Sequence, residues 1–366
     1  MNSHFKRYLK NNYLLIFILL STSLFLTLFF VFLKKNTSIT NKYDFIYINE
    51  KDNFNDIVSK LEPYLISTNT FIIAANLKKY SKNFKSGKFK LKDKLNNNNL
   101  IDVLRGESMT VNITFNNQEK IEDLAKRVSD QIEADSLSLI NAFRDPIFLE
   151  KTNFNNLNLI SMYLPNTYNL YWNTSAEDFR DRMYLEYKKY WNKNRILAAN
   201  KIGLDPIEVI TLASIINKES PIFKERKKIA GVYLNRLKKR IKLQADPTVI
   251  FAIKNENKKY DTIIKRVLLS DLKINSKFNT YKIRGLPPGP ICMPDLTSIE
   301  AVLNADNTIT LGASTLVEGH LTASLHISGS HLSRLIMSRQ FDKSTTTNND
   351  LAQGDIIYQG GGSTTQ

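Results

Sequence analysis

From Tyr13 to Leu33 the chain runs 21 residues without a charge, dense in Leu, Phe and Ile. As a helix rising ~1.5 Å per residue, such a run spans roughly 30 Å, the thickness of a bilayer's hydrocarbon core. Basic residues flank it on both sides, Lys6, Arg7 and Lys10 before and Lys34 and Lys35 after. The short basic N-terminal tail, residues 1–12, is expected to stay cytoplasmic, which places everything after Lys35 outside. A cleaved signal peptide is the competing reading. The length of the run and the lack of an A-x-A-like site before Lys34 favour a retained single-pass anchor over residues 13–33.

A chain of 366 residues has room for about two domains beyond such an anchor. Charged residues make up 23% and aromatics 10%, the balance of a globular protein and not of a disordered one. Cys292 stands alone, which excludes an intrachain disulfide and any cysteine-based metal site. The formal charge of +16 suggests an acidic partner. No nucleic-acid motif accompanies it, and 37 Lys against 14 Arg is a poor phosphate-gripping balance, so no nucleic-acid partner is expected.

Residues 34–43 read as a short polar linker. Asp44–Ile48 and Lys88–Lys92 read as strands, the second alternating apolar and basic residues after a turn at Gly87. Helical stretches fall near 54–61 and 70–80 between them, giving a small strand–helix–helix–strand module with a further helix near 100–104. Beyond it, 111–115 reads as a strand, and 119–132 and 136–143 as amphipathic helices. The Pro-broken, aromatic-rich segment Tyr163–Trp172 suits either a packed core or a sugar-binding face. Helical pattern resumes over 177–200 and 222–241.

Asp205-Pro206-Ile-Glu208 carries an N-cap, a Pro suited to the first helical position and a capping-box Glu. The apolar helix this starts is expected to be buried and to end at Glu219, because Pro221 pushes Ser220 out of helical geometry. Ser220-Pro221 then looks like the cap and first residue of the next helix. A carboxylate at a helix C-terminus meets the negative end of the dipole, so its pKa should rise towards that of a working proton donor. The alternative is an exposed last-turn Glu219 paired with Lys218 or Lys224.

Further on, Asn235-Arg236-Leu237 ends a helix whose Ile229, Val232, Tyr233 and Leu237 form one apolar stripe. Asp246 in Leu243-Gln244-Ala-Asp246-Pro247-Thr248 is a natural N-cap before Pro247. Phe278-Asn279-Thr280-Tyr281 precedes Gly285-Leu-Pro-Pro-Gly-Pro290, an irregular loop suited to a cleft floor. Thr297-Ser-Ile-Glu300 reads as a capping box for a helix to Asn304. Composition then breaks: the last 62 residues hold one of the 37 lysines but 7 of the 13 glycines and three histidines, His320, His326 and His331. Their spacing matches no metal site, and 343–366 reads as disordered.

Taken together, Leu212–Glu219, Asn235–Leu237, Leu243–Thr248, Phe278–Tyr281 and Gly285–Ile291 resemble, in order, the signature runs of the endolytic murein transglycosylases, the YceG-like family. The likeness covers about residue 10 to Asn304. Two departures stand out: Asn217 occupies a position often acidic in the family, and after Asn304 the likeness fades apart from Glu318-Gly319-His320. The implied fold is α+β: one N-terminal transmembrane helix, a small LysM-like βααβ module over 44–106, a helix-rich YceG-like catalytic domain over 107–304, and an atypical, partly disordered tail over 305–366.

The resemblance implies non-hydrolytic cleavage of the β-1,4 bond between N-acetylmuramic acid and N-acetylglucosamine in nascent peptidoglycan. It leaves 1,6-anhydro ends and terminates strand elongation. It implies Glu219 as the catalytic acid and base, Gln244, Asp246, Asn279 and Tyr281 as substrate-binding residues, and Asn235, Arg236 and Thr280 as supports. No metal or organic cofactor is implied. The implied partners are peptidoglycan glycan strands and the synthases that make them (penicillin-binding proteins), met on the extracytoplasmic (periplasmic) side of the plasma or inner membrane. A hydrolytic muramidase with Asp246 activating water, and a non-catalytic peptidoglycan-binding scaffold, are the alternatives.

Overall fold

The structure, a computed structural model, describes residues 3–305, 316–319 and 334–337. In chain order, α1 (Ser3–Leu28) passes into a π-helical turn at Phe29–Leu33 and is followed by β1 (Tyr43–Ile48), α2 (Phe54–Leu61), α3 (Thr68–Leu77) and β2 (Gly87–Lys92). Then come α4 (Asn97–Arg105), β3 (Thr110–Phe115), α5 (Ile121–Ser129), α6 (Ser136–Phe143), α7 (Pro146–Thr152) and β4 (Asn166–Tyr171). The helices α8 (Ala176–Tyr190), α9 (Lys193–Ile202), α10 (Pro206–Glu219), α11 (Phe223–Lys238), α12 (Asp246–Asn257) and α13 (Leu296–Leu303) complete the main body. Two short strands, β5 (Leu316–Gly319) and β6 (Arg334–Met337), pair in parallel. The protein is thus mixed α+β and helix-rich. The histidines His320, His326 and His331 and the stretch 343–366 lie outside the described residues.

The chain divides into two compact units. The first runs up to Thr114 and takes in Ala125–Leu139 and Thr167–Phe179. Its strand–helix–helix–strand order follows the pattern read from the sequence. β1 and β2 pair antiparallel, with Ile46 opposite Phe89 and Tyr47 opposite Lys88. Ile46, Ile48, Phe89 and Leu91 turn inward onto Ile57, Leu61, Phe71 and Leu100. The period of two sends Tyr43, Phe45 and Tyr47 to the other face, where Lys90 sits 3.8 Å over the Tyr43 ring and Lys88 4.2 Å over Phe45.

The stretch read as a short polar linker is stitched into this unit. Asn36 and Thr37 are buried. Asn36 Nδ2 donates to Asn97 Oδ1 at 2.7 Å and to Ser67 O at 2.9 Å, while its Oδ1 accepts from Ser67 N at 2.7 Å. Thr37 Oγ1 donates to Lys92 O at 2.9 Å and accepts from Leu95 N at 2.6 Å. Short polar residues resemble solvated linker in sequence, yet here they satisfy buried backbone groups that would otherwise go unpaired.

In the second unit α10 is wrapped by α9, α11, α12 and α13, which explains why almost none of its circumference is polar. Its core contacts run from Leu212, Ile215 and Ile216 to Leu234, Phe251, Ile299 and Val302. The capping box at its start is present: Glu208 N donates to Asp205 Oδ1 at 2.8 Å and Asp205 N to Glu208 Oε2 at 2.9 Å.

Three local expectations need correction. The helix after α10 begins at Phe223 and not at Pro221, so Ser220 caps the end of α10 while its Oγ accepts from Ile222 N at 3.0 Å. The helix α13 is capped by Asp295, which accepts from Ser298 N at 2.7 Å. Glu300, expected to close a box with Thr297, instead takes Arg195 Nε at 2.8 Å and Tyr190 OH at 3.1 Å. Helical pattern over 177–200 is broken at Trp191–Asn192, where Asn192 caps α9 through Arg195 N at 3.1 Å. In each case a competing side-chain partner outweighed the local motif.

Candidate active site

Glu219 is the last residue of α10, and its Oε2 is fully buried with no hydrogen-bond partner. Burial raises its pKa from the ordinary 4.5 to about 7, and the charge of Asp246 pushes the same way. The Tyr233 hydroxyl and the Arg236 guanidinium pull it down without reversing the shift. Removing a carboxylate from water disfavours its charged form, so Glu219 keeps its proton to higher pH than an exposed glutamate does. The alternative of an exposed Glu219 paired with a lysine does not occur. Lys218 turns instead to Glu119 Oε1 at 2.7 Å, and Lys254 takes Glu119 Oε2 at 3.0 Å.

Tyr233 and Arg236 reach this place from α11, three residues apart and hence on one face. Arg236 is buried; its Nη1 donates to Leu243 O and its Nη2 to Gln244 Oε1 at 3.3 Å. Its Nε is buried without a partner. Asn235 is half-buried on the same helix. Tyr233 was read in the sequence as part of an apolar stripe. The signal that marks it otherwise is its offset of three from Arg236.

The loop before α12 is held by the loop that carries Thr280. Gln244 adopts a left-handed backbone, φ +51°, unusual for a residue with a side chain. Its N donates to Thr280 O at 3.2 Å, and Ala245 N donates to Thr280 Oγ1 at 2.9 Å. Thr248 and Thr280 share a hydroxyl hydrogen bond of 2.8 Å. Asn279 has no exposed surface: its Nδ2 donates to Leu272 O at 3.0 Å and Ile274 O at 2.8 Å, and its Oδ1 accepts from Tyr281 N at 3.0 Å. It builds the loop and presents no free amide.

Asp246 is not the N-cap that local chemistry suggests. Ala245 holds that position, with no side-chain cap, and Asp246 is the first residue of α12. Tyr281 OH donates to Asp246 Oδ1 at 2.5 Å. Burial, the bond to Asp246 and the charges of Asp246 and Glu219 all push the Tyr281 phenol upward, so it stays a donor. Glu219, Tyr233, Arg236, Gln244, Asp246 and Tyr281 are therefore brought together, with Thr280 and Asn279 beneath.

The Pro-Gly loop proves to be packed scaffold. A Cβ on Gly289 would stand 2.0 Å from Leu157 O, so only glycine fits, and Ile291 N donates to Ser214 Oγ at 3.0 Å on α10. Behind the site, Arg226 Nη1 bonds both oxygens of Asp295, at 2.7 and 2.9 Å, and its Nε reaches Ser220 O at 3.1 Å. Asn217 Nδ2 donates to the same Asp295 at 2.9 Å. Lys218 and Pro247, chain neighbours of the two site carboxylates, help line a cavity of about 90 Å³ floored by Ile250, Phe251 and Ile291. Among the described residues no three of His, Cys, Asp and Glu cluster as metal ligands.

The YceG-like family model matches residues 46–311. An endolytic murein transglycosylase of Bacillus subtilis is 39% identical over 136 residues, 37% of this chain and 35% of that protein. One from Streptococcus pneumoniae is 33% identical over 141 residues, 38% of this chain and 25% of that protein. The chain therefore spans only about a third or less of these relatives' length. A crystal structure of a YceG-like protein from Listeria monocytogenes aligns with a TM-score of 0.46 at 25% identity, over 72% of this chain and 91% of that one. With its family model matched over most of its length, the chain belongs to the YceG-like family.

Proposed function

We propose that the chain is a lytic transglycosylase that cuts the β-1,4 bond between N-acetylmuramic acid and N-acetylglucosamine in peptidoglycan. The observation that carries this reading is the buried Glu219, poised near neutral pH to give a proton and take one back. The likeness to endolytic murein transglycosylases of Bacillus subtilis and Streptococcus pneumoniae supports it. Glu219 protonates the glycosidic oxygen as the bond to C1 breaks. The resulting carboxylate then accepts the proton of the sugar's own C6 hydroxyl as that oxygen closes on C1, giving a 1,6-anhydro end. The nucleophile is intramolecular, so no second carboxylate is needed to activate water, unlike in glycoside hydrolysis.

Asp246, held by Tyr281, supplies negative potential beside the reacting carbon and sustains the raised pKa of Glu219. Gln244 and Tyr281 face the sugar, while Arg236, Asn235, Thr280 and Asn279 hold them. The apolar α1 with its π-helical turn, which includes the candidate span Leu15–Leu33, anchors the chain in the plasma membrane with the site outside. The first unit is a LysM-like module that helps retain glycan. This location places the enzyme beside the synthases, where cleavage terminates strand growth.

Product analysis on nascent, uncrosslinked glycan tests the reading. Anhydro ends that disappear in Glu219→Gln support it. Reducing ends would favour a muramidase using Asp246, and glycan binding with no cleavage by the unmutated chain would favour a scaffold.

A further inference from the structure

The apolar run does not remain lipid-facing to its end. At Phe29–Leu33 the helix widens to a π-helical turn, closed by Lys34 N to Phe29 O at 3.0 Å, and Val31 joins the core of the first unit. Asn97 Nδ2 donates to Val31 O at 2.7 Å, and Asn36 ties the following residues to Ser67 and Asn97. No tether separates anchor from module. The apolar stretch left for lipid, Tyr13–Phe30, is then ~27 Å long at ~1.5 Å per residue, short for a bilayer core. A short span draws the surface around its end into the interface.

Both α3 and α4 pack on that turn. The outer face of α3 carries Ile73 and Leu77, 47% and 62% exposed and one helical turn apart, and Ile66, 63% exposed, precedes the helix ahead of its extended N-cap Ser67. Exposed Leu33, Lys34, Lys35 and Lys79 lie at the two ends of the elements involved. Apolar side chains beside lysines are what an interface of acyl chains and anionic headgroups accepts.

We propose that exposed Ile73 and Leu77 of α3, with Ile66 ahead of the helix, seat the first unit on the anionic bilayer that α1 crosses. The inference rests on the anchor reading of α1. The seat makes a second contact with lipid, so the module stands on the membrane and does not swing above it.

The test uses the full chain with single added cysteines carrying an environment-sensitive fluorophore. Buried Cys292, its thiol pushed up to about 12, stays unlabelled in the folded protein. Ile73→Cys and Leu77→Cys probe the seat, Leu24→Cys the span, and exposed Lys51→Cys the opposite end of the sheet, past the Ile48–Gly87 pair. The proteins are reconstituted in vesicles of phosphatidylglycerol and phosphatidylcholine with doxyl groups high on the acyl chains. Positions 24, 73 and 77 should lose most of their emission, and 51 little. If 24 is quenched while 73 and 77 are not, the seat is overturned and the anchor stands, even if 73 and 77 are shielded from aqueous iodide by a protein neighbour. If 24 also escapes quenching, the anchor reading falls and takes the seat with it.

Discussion

Tyr281 holds Asp246 through a hydroxyl-to-carboxylate hydrogen bond of 2.5 Å, and Asp246 is the charge that, after burial, most raises the pKa of Glu219. The pair spans 35 positions of sequence and ties the start of α12 to the loop ahead of the Pro-Gly scaffold. Its energetic consequence is a site in which one carboxylate is committed to a tyrosine hydroxyl while it pushes the pKa of the other upward.

Glu219→Gln should change stability in a pH-dependent way. The folded pKa, about 7, lies above the ordinary 4.5, so the folded state resists losing this proton. The wild-type protein therefore loses up to about 3 kcal/mol as pH rises from 4.5 through 7, and little more above it. Gln removes that loss, so the variant gains on the wild type at pH 8 relative to pH 4. Urea unfolding at the two pH values reads this directly. An equal difference at both would contradict the buried, protonated Glu219.

Asp246→Asn removes a charge that raises the Glu219 pKa, so that pKa should fall. In glycan cleavage the alkaline limb of the pH–rate profile should then move to lower pH, with residual activity retained at acid pH. Complete loss of activity at every pH would instead give Asp246 a direct part in bond breaking.

Gln244→Gly relieves a left-handed backbone and should leave stability unchanged or raise it by about 1 kcal/mol. It also deletes the partner of Arg236 Nη2. Thermal unfolding alongside cleavage assays separates the two effects, with a stable but slower enzyme expected.

Arg226→Met leaves Asp295 without its main partner and Ser220 O without a donor. Arg226 is buried but Asp295 is more than a third exposed and keeps other donors, so losing the pair from the Arg side costs about 1–3 kcal/mol, and it also frees the residue after Glu219. A lowered unfolding midpoint is expected. Asn217→Asp places a second carboxylate where an amide now donates to Asp295 at 2.9 Å, and should destabilise by about 1–2 kcal/mol. A neutral result for both would mean that the α13 contact is not what fixes the end of α10.

The parts of this site legible in sequence were those written in local chemistry. Asp205, Pro206 and Glu208 fix where α10 starts, and Pro221 fixes where it must stop, so the position of Glu219 follows. Its pKa is raised as the helix end suggested, but by burial and by the charge of Asp246. What local chemistry misassigned was the fate of groups with distant partners. Asp246 had every feature of a cap and was captured by Tyr281; Glu300 was captured by Arg195 and Tyr190. Tyr233 vanished into an apolar stripe because periodicity records which face is buried and not what a hydroxyl meets there. Asn36 and Thr37 read as solvent-loving for the same reason.

The stitched residues Asn36 and Thr37 also make the N-terminal helix an axle. With no loose joint after Leu33, turning α1 about its own axis turns β1, β2 and the lysine-capped aromatic face with it. If α1 crosses a bilayer as proposed, a neighbouring protein that grips one side of it would thereby set the compass bearing of the first unit. Steering would come from within the membrane, through torque and not through reach.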